Sequence, residues 1–247
     1  HSISLDYASF IRRFIRPKVV TYSEYPAPFL PVEKRLSFLA MEMAMNWQMG
    51  MVRNRFLTFH ASSVADEQGR SIIMPGASGS GKSTLAAGLG LFGWRFLSDE
   101  FVLIDMTKGE HFPYPRPISI KNEAIASIKN QADELVFSPI YRNTFKGDVT
   151  YLVPPISAIE NPKPVRPSLV LFPSFNKDAK PQLTSCSKVE AVTRLVNSSV
   201  NYWKLGRPAY QTLMKLCEEA PAFHITYATL QDAMTLVHEA MDKAHVK

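Results

Sequence analysis

At 247 residues, with 46% hydrophobic and 20% charged positions, the chain has the make-up of a folded domain and excludes a disordered or fibrous segment. Its 28 basic and 22 acidic residues leave a formal net charge of +6, but no nucleic-acid reader motif accompanies the excess, so no nucleic-acid partner is expected. No apolar run reaches the roughly 18 residues of a transmembrane helix, so no membrane span is expected, and the two cysteines, Cys186 and Cys217, lack metal-ligand spacing and read as free thiols in a reducing cytoplasm.

Residues 1–30 read as an N-terminal extension or the remnant of a small subdomain. There Arg12, Arg13, Arg16 and Lys18 are interleaved with Phe10, Phe14 and Ile15, a pattern read first as a solvated edge and alternatively as an amphipathic surface segment that meets an acidic partner or a membrane face. Residues 31–247 read as one α/β domain. The Met-rich stretch Glu33–Val52 predicts a helix apolar on two sides, with Leu36, Leu39, Met43 and Trp47 on one face and Met41, Met45 and Met49 on another. Phe56–Val64 and Ser71–Met74 predict two strands joined by a turn over Asp66–Gly69. If Val64 pairs with Ser71, His60 lies opposite Pro75, at the end of the second strand. An imidazole there can orient a carboxylate or contact an anion.

Directly after Pro75 comes the run Gly76-Ala77-Ser78-Gly79-Ser80-Gly81-Lys82-Ser83-Thr84. It satisfies every fixed position of the G-x-x-x-x-G-K-[ST] phosphate loop, between a short apolar strand and a Leu/Ala-rich helix over Lys82–Leu91. Glycines at 76, 79 and 81 allow the tight curl that points successive N–H groups at phosphate oxygens. Lys82 supplies a positive charge for the outer phosphates, and the Ser83 hydroxyl is the expected Mg²⁺ ligand. The helix start adds the positive end of its dipole.

Arg95–Ser98 predicts a second strand, which delivers Asp99-Glu100. About eleven helical residues at ~1.5 Å each run back ~16 Å, and about five strand residues at ~3.3 Å return that distance. A crossover of this kind makes the second strand run parallel to the first, so the acidic pair reaches the sheet edge that carries the loop. There it can hold Mg²⁺ or accept a proton from an attacking hydroxyl. Further along, Arg116, Lys121 and Lys146 are candidates for a second cation on the phosphates, Arg116 foremost because Pro115 and Pro117 fix its backbone. Pro154–Pro167, with five prolines, predicts a connecting loop. A core strand is expected at Ser168–Pro173, and helices at Val189–Lys204, Pro208–Glu219 and Leu230–Ala244.

An acidic pair seventeen residues after the loop lysine, a single intervening helix and a His-bearing strand before the loop resemble the catalytic core of the HPr kinase/phosphorylase family. His60-Ala61, Leu97-Ser98-Asp99-Glu100 and Pro115–Asn122 are more similar still to the bacterial HPr kinase-related "kinase A" proteins, with which Thr144–Gly147 and Asn197–Tyr202 also agree. The chain departs from HPr kinases in having Asp-Glu for their common Asp-Asp and Thr84 after the loop serine, and it has no clear Gly-Arg-Asn signature. The resemblance implies an α/β fold with a P-loop-containing, HPr kinase-like catalytic core, its central sheet flanked by helices. It implies ATP and Mg²⁺ as cofactors, a protein or peptide substrate carrying an acceptor serine or threonine, and assembly as a homo-oligomer. It assigns Asp99 as general base, His60 as its supporting histidine and Lys82 as the phosphate-binding cation, with Ser83, Glu100 and Asp99 around the metal. Two rival expectations remain: a P-loop ATPase acting as a nucleotide-dependent switch without phosphoacceptor, and a module that senses ATP without catalysis.

Overall fold

The computed structural model describes residues 2–52, 55–77, 79–131, 135–144 and 146–245. Two compact units divide at Asn54/Arg55, so the boundary expected at 30/31 falls inside the first.

The first unit is a three-stranded antiparallel sheet of β1 (Ile3–Tyr7), β2 (Lys18–Ser23) and β3 (Val32–Glu33), with a short helix α1 (Ile11–Phe14) between the first two strands. The Met-rich helix α2 (Ser37–Val52), entered through a 3₁₀ turn at Lys34–Leu36, packs on β1 and β2. Phe10, Ile11, Phe14 and Ile15 are exposed.

The second unit is built on a mixed sheet ordered β13-β14-β12-β5-β4-β7-β8, with β6 also paired to β4. Its strands are β4 (Phe56–Ala65), β5 (Arg70–Pro75), β6 (Arg95–Ser98), β7 (Phe101–Asp105), β8 (His111–Phe112), β12 (Arg166–Phe175), β13 (Gln182–Cys186) and β14 (Ala222–Tyr227). A small antiparallel sheet of β9 (Ile118–Lys121), β10 (Tyr141–Thr144) and β11 (Gly147–Leu152) stands apart from it. The helices are α3 (Lys82–Leu91), α4 (Ala124–Lys129), α5 (Ile156–Glu160), α6 (Lys188–Ser198), α7 (Tyr202–Leu205), α8 (Arg207–Glu219) and α9 (Leu230–His245).

Strands β5, β12 and β14 run parallel, and β5 is buried from Ser71 to Pro75. Ile72 and Met74 join Leu85 and Leu89 of α3 and Val237 of α9 on one face. Ile73 joins Leu195 of α6 and Leu213 and Leu216 of α8 on the other. Burial on both faces is why these strands read as continuous apolar runs. Each fully buried aliphatic side chain contributes roughly 1.5–3 kcal/mol.

Three expectations are corrected, and the direction of β6 holds with a strand interposed. Val64 pairs with Ile72 and Ala61 with Pro75, so the hairpin register differs by one residue from the expected one and His60 does not face Pro75. Strand β6 runs in the direction of β5 as expected, but β4 lies between them, antiparallel to both. Second, the predicted helix Val189–Lys204 breaks at Ser199–Asn201, where the chain turns to bond the edge of β4. Third, the proline-rich connection contains the short helix α5, and β12 starts at Arg166.

That break serves a purpose. Past Ala61, toward Phe56, β5 no longer covers β4. Asn201 takes over: its Oδ1 accepts from Thr58 N at 3.0 Å and its Nδ2 donates to Phe56 O at 2.9 Å. Val200 N and Ser199 Oγ both donate to Thr58 O at 3.0 Å. Buried backbone groups need partners, and this segment supplies them for the strand that carries His60.

Candidate functional site

The glycine-rich loop leaves β5 at Pro75 and enters α3 at Lys82. Gly79 and Gly81 have φ of 86° and 92°, a region that side-chain-bearing residues rarely enter. A Cβ at Gly81 would also collide with the Tyr227 hydroxyl and press Phe175 Cβ at 3.2 Å, so both the curl and the close approach demand glycine. Ser78, part of the expected binding run, lies outside the described residues, as does Phe145.

Lys82 is buried and folds over the loop, its Nζ donating to Ala77 O at 3.3 Å. Burial lowers its pKa; Asp99 and then Glu100 oppose that, while Lys121 and Lys146 add to it. A buried ammonium that feels two carboxylates and two further lysines is suited to an anion that completes its solvation.

Asp99 and Glu100 follow directly on the end of β6, as expected from the sequence, and β7 begins right after them at Phe101. The pairing of β4 with β6 reaches Ser63↔Ser98 and resumes with β7 at His60↔Phe101, so one long line of chain runs alongside β4 and the acidic pair sits in its middle. Glu100 has φ of 80°, a bend of the kind that re-aims side chains beside functional sites. The two carboxylates have different partners as a result. Asp99, buried, accepts from Ser62 Oγ, from Ser83 Oγ at 2.9 Å and from Ser119 N at 3.3 Å. Glu100 places Oε2 at 3.4 Å from His60 Nδ1, while its carbonyl lies 3.2 Å from the same nitrogen and accepts from Ala61 N at 3.3 Å.

His60 therefore partners Glu100 even though the expected register was off by one. Burial lowers its pKa, with Lys82 acting the same way; Glu100, Asp99 and the Glu100 carbonyl pull in the other direction. A neutral imidazole is the form this favours near pH 7.

A cavity of about 680 Å³ opens over the loop. Gly79, Gly81, Lys82, Ser83 and Thr84 of the loop and helix start line it, together with Ser119, Lys121, Asn122 and Lys146 and the rings of Phe175 and Tyr227. The segments around Lys121 and Lys146 are brought together by the small sheet, where Val149 pairs with Lys121 and Asp148 N donates to Asn122 Oδ1 at 3.1 Å. Arg116 takes no part in this lining. It is buried with its guanidinium 5.7 Å over the Tyr114 ring. Gly76, Ala77, Ser80, Asp99, Glu100 and His60 are likewise not among the lining residues; Asp99 meets the cavity through Ser83. The hydroxyl of Ser119, which lines the cavity, is buried without a hydrogen-bond partner, which suits a polar ligand; that of Ser80 is also unpartnered but is not on the lining.

Phe175, Tyr227, Ser119 and Ser62 were not singled out from the sequence. Tyr227 donates to Gly81 O at 3.3 Å, and its ring lies 5.9 Å from that of Phe175. Both residues are the last of strands parallel to β5, and ligands gather at the carboxyl ends of parallel strands. That rule would have found them had β12 been followed to its end and β14 been recognised.

Compared with protein-family models and with curated proteins, the chain matches none. Among the described residues no helix is long and apolar enough to cross a membrane.

Proposed function

We propose that this chain is a kinase of HPr kinase-like P-loop architecture that uses MgATP to phosphorylate a serine or threonine hydroxyl of a protein or peptide. The observation that carries the reading is the 2.9 Å hydrogen bond from Ser83 to Asp99, which ties the hydroxyl expected on the metal to the first residue of the acidic pair. The phosphate chain lies along the loop backbone and Lys82, with Lys121 and Lys146 on its outer side. The orphaned hydroxyl of Ser119, on the cavity lining, supports an oxygen-rich ligand there. Mg²⁺, held by Ser83 with an acidic residue, would offset phosphate charge.

In this reading Asp99 accepts the proton of the acceptor hydroxyl, exchanging one of its present donors for it, and Glu100 assists the metal. One observation favours the opposite division. Donors already occupy both oxygens of Asp99, whereas Glu100 is turned toward His60. Then Asp99 would organise Ser83 and the cation, and Glu100 with His60 would meet the acceptor.

The test is phosphoproteomic. A dephosphorylated host lysate is incubated with MgATP and either wild-type or Asp99→Asn protein. New phosphoserine or phosphothreonine confined to wild type supports the kinase and names the acceptor. Mg²⁺-dependent phosphate release with no new phosphosite would replace it with the switch ATPase.

A further inference from the structure

We propose that Cys186, Glu190 and His224 bind a divalent cation of the zinc class, at a site separate from the glycine-rich loop. A sulfur, a carboxylate oxygen and an imidazole nitrogen from these residues all lie within 4.8 Å of one another, with His224 Nε2 3.0 Å from Glu190 Oε1. In a tetrahedral zinc site the ligand bonds are about 2.0–2.3 Å, which sets donor atoms about 3.3–3.8 Å apart. Side-chain adjustment of about 1 Å closes the set, and water completes the fourth position.

The backbone builds this arrangement. Antiparallel pairing sets Thr184 opposite His224 and Cys186 opposite Ala222, so Cys186 and His224 share a face as diagonal neighbours. Helix α6 starts directly after β13, and Ser187 caps it by accepting from Glu190 N at 3.2 Å. That cap fixes the first turn on which Glu190 is carried.

Two cations lie nearby. Arg194 Nε is 2.8 Å from Glu190 Oε1, but half-exposed i,i+4 pairs of this kind contribute little and yield readily. Lys188 is drawn aside to Glu218 at 3.0 Å. The donor set discriminates between metals: a thiolate and an imidazole favour zinc-like ions, whereas Mg²⁺ takes oxygen ligands. Burial, with Glu190 alongside, pushes the Cys186 thiol up to about 11, so metal binding would release its proton. The two cysteines alone have no ligand spacing in the sequence; His224 lies far along the chain and only the sheet brings it to Cys186.

Cobalt(II) is the probe, added to the folded full-length chain under reducing conditions with excess Mg²⁺ present. Thiolate ligation produces a near-ultraviolet charge-transfer band that oxygen ligands at the loop do not. The expected result is that band saturating at one equivalent in wild type and in Cys217→Ser, and displaced by Zn²⁺. It should vanish in Cys186→Ser, and His224→Ala should weaken binding by about tenfold or more. Far-ultraviolet circular dichroism establishes that each variant is folded. No band in wild type, or a band that survives Cys186→Ser, would overturn the proposal.

Discussion

The Ser83 hydroxyl donates to Asp99 Oδ1 at 2.9 Å, joining the first turn of α3 to the chain just beyond β6. Neither residue holds that geometry alone. Ser83 is aimed by the helix start and Asp99 by donors from Ser62 and Ser119. The mutational consequence separates chemistry from binding. On the proposed kinase reading, Asp99→Asn should lower phosphoryl transfer by about 10²–10³-fold or more, with ATP affinity nearly unchanged. Lys82→Ala should damage both. Single-turnover transfer and nucleotide titration check this, and equal transfer by wild type and Asp99→Asn would remove the base assignment. Transfer lost in Glu100→Gln, with Asp99→Asn mainly raising the Mg²⁺ requirement, would exchange the roles of the two carboxylates.

Glu100 sits at φ 80°, which a side chain makes costly and glycine does not. Glu100→Gly should therefore be more stable than Glu100→Ala by about 1 kcal/mol, the reverse of the usual order in a strand. Urea unfolding of the pair measures it. The usual order, with alanine ahead, would show that the bend relaxes in the variants.

His111 predicts a pH dependence unconnected with the glycine-rich loop. It is buried, with Nδ1 3.0 Å from Ser71 Oγ and Nε2 3.3 Å from Ser63 Oγ. Burial, with the Arg95 charge nearby, lowers its pKa to about 3. Between that value and the unfolded value near 6.5, the unfolded chain binds more protons than the folded one. The contribution of neutral His111 is thus fully present above pH 6.5 and declines as pH falls toward 3, by up to about 1.4 kcal/mol per pH unit. Urea midpoints at pH 7.5 and pH 5 should differ more in wild type than in His111→Gln. Equal differences would refute the assignment.

Asn201 gives the fourth prediction. Removing its amide by Asn201→Ala leaves Thr58 N–H and Phe56 C=O without these partners, at about 1–3 kcal/mol for each group left unsatisfied. The same strand carries His60, so on the proposed kinase reading a loss of transfer is expected alongside the loss of stability. An unchanged urea midpoint would show that the strand edge needs no such clamp.

How much of this was legible depended on range. The loop, the helix Lys82–Leu91, the strand Arg95–Ser98 and the hairpin around Asp66–Gly69 come from local periodicity and turn chemistry, and the structure has them where expected. Nucleotide binding and catalysis remain readings of the motif and of the geometry around Ser83. The hairpin register was missed because a one-residue shift leaves the apolar character of a doubly buried strand unchanged. The continuation of β6 into β7 was missed because the charged pair at 99–100 looks like an end.

By itself the sequence determined what depends on neighbours along the chain: the glycines that permit the curl at 79 and 81, the amphipathic helices, and the placing of Lys82, Ser83 and Asp99 within a single loop–helix–strand passage. Only the tertiary structure decided what depends on pairing between distant segments. It turned Arg116 inward, brought Lys121 and Lys146 to the same cavity as Lys82, set Tyr227 onto Gly81, and gave Asp99 and Glu100 different partners through a backbone bend. Those choices rest on strand register and on the packing of both sheet faces, where many weak contacts add up and no short motif records the sum.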